Sequence, residues 1–267
     1  MRKTILSAAA LLAVAAGQAQ TGFGTQISVT SPTTDDNAAR TAGTTAATVA
    51  PASEALPAGR SEWLAPFDAV EVDATVDIRF VEVPATEAPR IVYDTKGDDN
   101  TKFRAEVRNG VLHIRERADM HRTARTQVTV SYNTLRSLTI TDANATFANT
   151  LAAPMFDLTV GARSSVDIHA DIQDLMMELS GDSRAKLTGA VRYLTLSVST
   201  GRVDALDLRC ESAVVTAKNK AEVTVDVADR LEAKAVTSGS IFYKRMPVLL
   251  RTSQSLLAGT IGRIEQE

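Results

Sequence analysis

The chain has 267 residues, and its 29 lysines and arginines face 32 aspartates and glutamates, a formal charge of −3. That length holds one large domain with a substantial core or two small ones, and the mildly acidic balance argues against nucleic acid as a partner. The only cysteine, Cys210, excludes a disulfide framework, so packing must supply the stability.

The chain opens with Met1-Arg2-Lys3, an apolar run from Ile5 to Ala16, and Gly17-Gln18-Ala19. A basic start, an apolar centre and a small-x-small site predict a signal peptide over 1–19 and export, to the periplasm or the cell surface. The run is too short to span a bilayer comfortably, and no other stretch approaches about 18 consecutive apolar residues, so no membrane span is expected after cleavage. No cysteine stands near the cleavage site for a lipid anchor. Losing Arg2 and Lys3 leaves 27 basic against 32 acidic residues, a charge of −5. Residues 20–60 are dominated by Thr, Ala, Ser, Gly and Pro without apolar periodicity, and they read as a disordered linker. The folded domain is expected over 61–267.

Order is predicted from about Trp63, where Val70, Val72, Ala74, Val76, Ile78 and Phe80 take every second position up to Pro84. That is the period of a half-buried strand. A strand over Arg90 to Tyr93 follows, then two strands joined by Asn109-Gly110, a strong hairpin signal. Another strand covers Gln127 to Tyr132. No stretch shows a helical apolar face of any length.

From Leu135 a repeat emerges. Aligning its copies puts Ile140, Val160, Leu179, Val198, Val215 and Ala235 in register, with steps of 20, 19, 19, 17 and 20 residues. Apolar residues stand two positions before each, Leu138 to Ala233, and eight after each, from Ala148 through Leu206 to Tyr243. The constant interval predicts that all length variation falls in one exposed turn. Such a unit cannot bury its own apolar side, but stacked copies can. The fold expected is all-β: a right-handed parallel β-helix with short strands and turns, preceded by antiparallel strands or a hairpin. The stretch Val236 to Ile264 is then one further coil and a degenerate last one capping the open edge. An ordinary β-sandwich is the competing reading.

Four segments carry a family resemblance: "FDAVEVDATVDIRFVE", the "VRNGVLHIRE" hairpin, the "LRSLTIT" entry to the repeats and the closing "VTSGSIFYKRMPVL". From about Phe67 to Ile264 the chain resembles the bacterial head GIN domain family of auto-transporter adhesin heads. Ser238-Gly239-Ser240, Tyr243 and Pro247 match the ending of that family's last repeat. The resemblance implies a β-helical fold of the pectin-lyase kind and a role in adhesion at the cell envelope, without a known catalytic site. Most turns have lost the family's glycines, which leaves left-handed conformations to Asn144, Asn219, Gly181 and Gly201. The chain leaves no room for a translocating β-barrel, so the family's descriptive name is not taken as a mechanism.

Side-chain chemistry points to binding and away from catalysis. His113, His121 and His169 have no partner at metal-ligand spacing, and Cys210 has no nearby histidine motif. Asp142, Asp167, Asp182 and Asp204 occur one per repeat but at different offsets from the core position, so no carboxylate cluster is expected. Asp98-Asp99-Asn100 reads as a turn before a calcium site. Arg115, Arg117, Arg122 and Arg125 with His121 form a cationic hairpin loop diluted by Glu116 and Asp119. No cofactor and no metal are expected. The sequence is read as an exported, non-enzymatic β-solenoid that binds a cell-surface glycan or an envelope protein. Its candidate ligand-contact ridge is Arg163, Arg184, Lys186, Arg202, Lys218 and Lys220. The alternatives are a carbohydrate-active β-helix lyase or hydrolase and a periplasmic structural or sensory domain.

Overall fold

The computed structural model describes residues 59–97, 102–116, 124–254 and 259–264. The expected signal peptide and almost all of the expected linker lie outside these residues, as do Asp98, Asp99, Asn100, Arg117, Asp119, His121 and Arg122. The described residues are all β or turn, without a helix, and wind into a β-solenoid of about six turns.

The N-terminal levels use short strands: β1 (Arg60–Trp63), β2 (Ala69–Asp73), β3 (Val76–Glu82), β4 (Arg90–Asp94), β5 (Arg104–Arg108), β6 (Val111–Arg115), β7 (Thr126–Tyr132), β8 (Ser137–Thr141) and β9 (Asn144–Phe147). Five long strands then each run through most of a coil: β10 (Leu151–Gly161), β11 (Ser165–Leu179), β12 (Arg184–Val198), β13 (Arg202–Ala217) and β14 (Glu222–Ala235). Three short ones close the described chain: β15 (Ser240–Tyr243), β16 (Leu249–Gln254) and β17 (Thr260–Arg263).

Alternation explains the long strands and also their bend. In β11, Val166, Ile168, Ala170 and Ile172 point inward in strict alternation, and then Gln173 and Asp174 both turn outward before Leu175 resumes the core. Arg192-Tyr193 and Glu211-Ser212 repeat the break one and two levels on. Each coil therefore has two sides. Side A holds β8, the second halves of β10 to β14, and β16; side B holds β9, the first halves of β11 to β14, β15 and β17. All of these pairings are parallel. Inside, identical positions stack: Ala185, Val203, Val223, Ile241 and Ile261 form one ladder. Full burial of one such aliphatic side chain stabilises by about 1.5–3 kcal/mol.

The coils do not stack in chain order throughout. β2 lies between β6 and β8, and β3 lies between β7 and β9, all in parallel. The first coil in sequence is thus clamped between the second and the third. Residues 133–136 carry the chain back across it, where Arg136 N donates to Asp68 O at 2.7 Å and Asn133 Nδ2 donates to Pro84 O at 2.8 Å. Antiparallel strands close this end: β5 on β6, and β4 with β1 on β7. The β5–β6 turn is the expected hairpin, with Asn109 at φ 53° and Gly110 at φ 79°. The C-terminal end differs. β16 and β17 form a last, shorter coil, and no described strand pairs with their outer edges.

The repeat is present, but its register departs from the sequence reading in the fifth copy. Val198 pairs with Ala217, and Val215 belongs with Leu196 and Ala233. The cause is a register shift between Lys186 and Thr188 on β12 and two more on β13, between Ala205 and Arg209 and between Cys210 and Ser212. Length variation is therefore absorbed inside strands as well as in the turn. Ala148 is exposed and Leu206 half-buried, so neither is the core position expected of it. Left-handed backbone is found at Asn219, Gly181 and Gly201, but Asn144 is a strand residue and Asp142, at φ 60°, takes its place. At Gly201 (φ 104°) a Cβ would come within 2.3 Å of Ser183 O, so glycine is required there on two counts.

Candidate binding face on side B

The outward residues of side B form two rows. In the first, Gln127, Asp77, Asn144, Ser165, Arg184 and Arg202 are consecutive partners along the stack. In the second, Thr146, Asp167, Lys186, Asp204 and Thr224 follow one another. Ladder spacing sets neighbours in a row about 4.8 Å apart, close enough for side chains of successive levels to hydrogen-bond. Gln127 Nε2 donates to Asp77 Oδ2 at 2.8 Å, Asn144 Nδ2 to Asp77 Oδ1 at 2.8 Å, and Ser165 Oγ to Asn144 Oδ1 at 2.7 Å. Arg125 Nε stands 3.3 Å from Asp77 Oδ1, and its Nη2 donates to Asp142 O at 2.5 Å.

A shallow groove follows these rows. One end is lined by Asp94, Lys96, Gln127, Thr129, Asn144 and Thr146, and the other by Asp167, Arg184, Lys186, Arg202 and Asp204. The first half carries amides, hydroxyls and carboxylates, with Arg79 between Thr129 and Thr146 in the second row; at its rim the Lys96 ammonium, 3.0 Å from Asp94 Oδ2, holds that carboxyl below its ordinary range. The second half carries three cations, Arg184, Lys186 and Arg202, and two carboxylates, Asp167 and Asp204. Arg184 stands directly over Arg202 in register, a like-charge juxtaposition that costs stability. Arg202 turns away to Glu222, its Nη2 donating at 2.6 Å, and neither Arg184 nor Lys186 forms an ion pair with a described carboxylate, although Asp167 and Asp204 flank Lys186 in its row.

Of the six ridge candidates, the structure brings Arg184, Lys186 and Arg202 together on side B. Arg163 sits in the turn before β11, 3.5 Å from Asp142, and Lys218 and Lys220 sit in the turn before β14. The acidic and amide half of the groove escaped the sequence reading, because Asp77 meets Asn144 only through the out-of-order stacking of β3 on β9.

The carboxylates need one correction. Asp167 and Asp204 were expected at unrelated offsets, yet they share a row, two levels and about 9.6 Å apart. The slipped register concealed this. Lys186 lies between them, so the row alternates in sign. Asp142 and Asp182 lie in turns. Among the described residues no group of three or more His, Cys, Asp or Glu side chains could hold a metal ion. His113 Nδ1 is 2.9 Å from Glu71, and His169 Nδ1 is 2.9 Å from Thr188 Oγ1. Cys210 is 3% exposed, and burial pushes its thiol up to about 12.

Solved structures share this architecture. A "putative adhesin" of Bacteroides fragilis NCTC 9343 superposes with a TM-score of 0.67 at 21% identity, covering 77% of this chain and 95% of that one. A second "putative adhesin", from Parabacteroides merdae ATCC 43184, gives 0.55 at 16%, covering 77% and 95%. A "putative lipid binding protein" of Parabacteroides distasonis ATCC 8503 gives 0.58 at 17%, covering 77% and 96%. At these identities the likeness shows the fold alone. No protein of curated function matches the chain. Residues 66–247 match the family described as "Putative auto-transporter adhesin, head GIN domain", and the chain belongs to that family.

Proposed function

We propose that the protein is an exported, non-enzymatic adhesin head that binds an extended, anionic glycan along the side-B groove at the cell envelope. One observation carries this reading. The groove offers a fixed row of donors and acceptors at ladder spacing, Gln127 to Ser165, continuous with cations at Arg184 and Lys186 that no described carboxylate pairs with. Hydroxyls suit the first half, and a sugar carboxylate or sulfate suits the second. Many weak contacts along one side need no cofactor and no closed pocket. Family membership and structural neighbours described as adhesins support the same reading.

A glycan array comparing the wild type with an Arg184→Ala/Lys186→Ala/Arg202→Ala variant tests it. Binding confined to uronate- or sulfate-bearing glycans, and lost in the variant, is the expected result. Equal binding by both proteins would remove side B from consideration. Protease shaving of intact cells separately decides between the outer surface and the periplasm.

A further inference from the structure

Side A presents a different surface. On six successive levels, β10 to β14 and β16, its outward residues stack in three straight rows. The first row reads Met155, Asp174, Tyr193, Ser212, Arg230 and Leu249. The second begins at Asp157 and Met176 and ends at Glu232 and Arg251; the third carries Glu178 on β11 and Lys234 on β14. Of the eight exposed large hydrophobics among the described residues, five lie here: Met155, Met176, Tyr193, Val214 and Leu249. Charge is segregated along the stack. Asp157, Asp174 and Glu178 occupy the first two levels, while Arg230, Lys234 and Arg251 occupy the last two. Between them, the outward residues of these rows on β12 and β13 are uncharged: Tyr193, Thr195 and Ser197, then Ser212, Val214 and Thr216. Arg230 and Arg251 both lean on Glu232, the latter at 3.4 Å, so two guanidiniums share one carboxylate and this end keeps its positive charge.

Such a surface complements itself. We propose that side A is the interface of an antiparallel dimer with a second copy of this chain, about a two-fold axis that runs along the strands between β12 and β13. That axis keeps each row on itself and reverses the order of levels. Asp174 then faces Arg230, Asp157 faces Arg251 and Glu178 faces Lys234, each pair occurring twice. Met155 meets Leu249, Thr195 meets Val214, and Ser197 meets Thr216. The one mismatch sets Met176 against Glu232, whose carboxylate is already engaged. The alternative two-fold, along the solenoid axis, lays Asp157 on Asp157 and Asp174 on Glu178, and like charges exclude it. Six levels and three rows cover about 500 Å² on each copy, about 1,000 Å² in all, at the low end for a specific pair. The dimer is accordingly weak and salt-sensitive. Side B stays open in both copies.

Sedimentation velocity on the purified chain tests this. At about 50 mM salt the wild type dimerises with a dissociation constant of about 10 µM, and at about 1 M salt it weakens at least tenfold. Glu178→Lys and Lys234→Glu are each monomeric, with unchanged circular dichroism and melting, because each meets its own charge across the axis. Mixed one to one, the two variants form a heterodimer, since both crossed pairs are again opposite in sign. A wild type that stays monomeric at about 500 µM, single variants that dimerise like the wild type, or a mixture that does not recover would each overturn the interface. Glycan binding by the monomeric variants reads side B separately, so the two proposals fail independently.

Discussion

In the levels built from β2, β3, β6 and β7, the core holds Phe80 and Tyr132, coils stack out of chain order, and antiparallel strands close the end. From β10 onward the core is almost wholly aliphatic, each coil lies on the coil before it in the chain, and the last edges carry no described partner. The difference shows how one sequence solves two problems. A solenoid interior is a sum of neighbour contacts and can be built from small, repeated side chains. An end must stop the stack, and here larger rings and reversed strands do so. Phe80 stacks on Phe147 at 5.0 Å and meets Tyr132 edge-on at 6.3 Å, so a single ring joins three levels.

Breaking that ring gives the largest expected effect. Phe80→Ala should cost about 3–5 kcal/mol, read as a fall in the urea midpoint, because the ring is fully buried and its neighbours belong to different coils that cannot close around the void together. Next comes Arg245, whose guanidinium grips Asp226 in the later levels with Nη2 at 2.5 Å, while Asp226 itself is 5% exposed. Arg245→Met should cost about 2–3 kcal/mol by stranding a buried carboxylate, and Asp226→Asn in the same background should restore part of it. If Arg245→Met proved silent, the late levels would depend on aliphatic stacking alone, and the contrast between the two regions would sharpen. The smallest effect concerns the cap hairpin. Gly110→Ala, at φ 79°, should cost about 1 kcal/mol, measurable as a modest drop in melting temperature.

These same places mark what could be read from the residues. Alternation from Val70 to Phe80, the Asn109-Gly110 turn and the first four repeat copies are local patterns, and each is present in the fold. Neighbouring residues encode them, so no partner need be known. The clamped first coil is different, because nothing between Ala69 and Glu82 states that Val111–Arg115 and Thr126–Tyr132 will lie on one flank and Ser137–Thr141 and Asn144–Phe147 on the other. The fifth copy failed for a subtler reason. Ala205 and Leu206 stand side by side as two apolar residues, so alternation breaks there, but a single such break does not say whether the extra residue is taken up within the strand or in the turn. Both proposed surfaces depend on those hidden facts. The donor row of side B crosses the clamp, and the charge order of side A is legible only when Val214 is placed beside Thr195 and Glu232.

The clamped coil also dictates a timetable for folding. A chain emerging from its N-terminus exposes β2 and β3 early, yet their partners β8 and β9 arrive only some 67 residues later, as the pairing of Asp77 with Asn144 measures. Loop closure of that length must precede its reward, so nucleation is slow. Once Phe147 is available, each further coil adds to a finished template with only about 19 residues of new chain. Folding should therefore show one slow, length-gated step followed by rapid zippering toward the C-terminus, and nascent chains ending before residue 147 should remain protease-sensitive throughout.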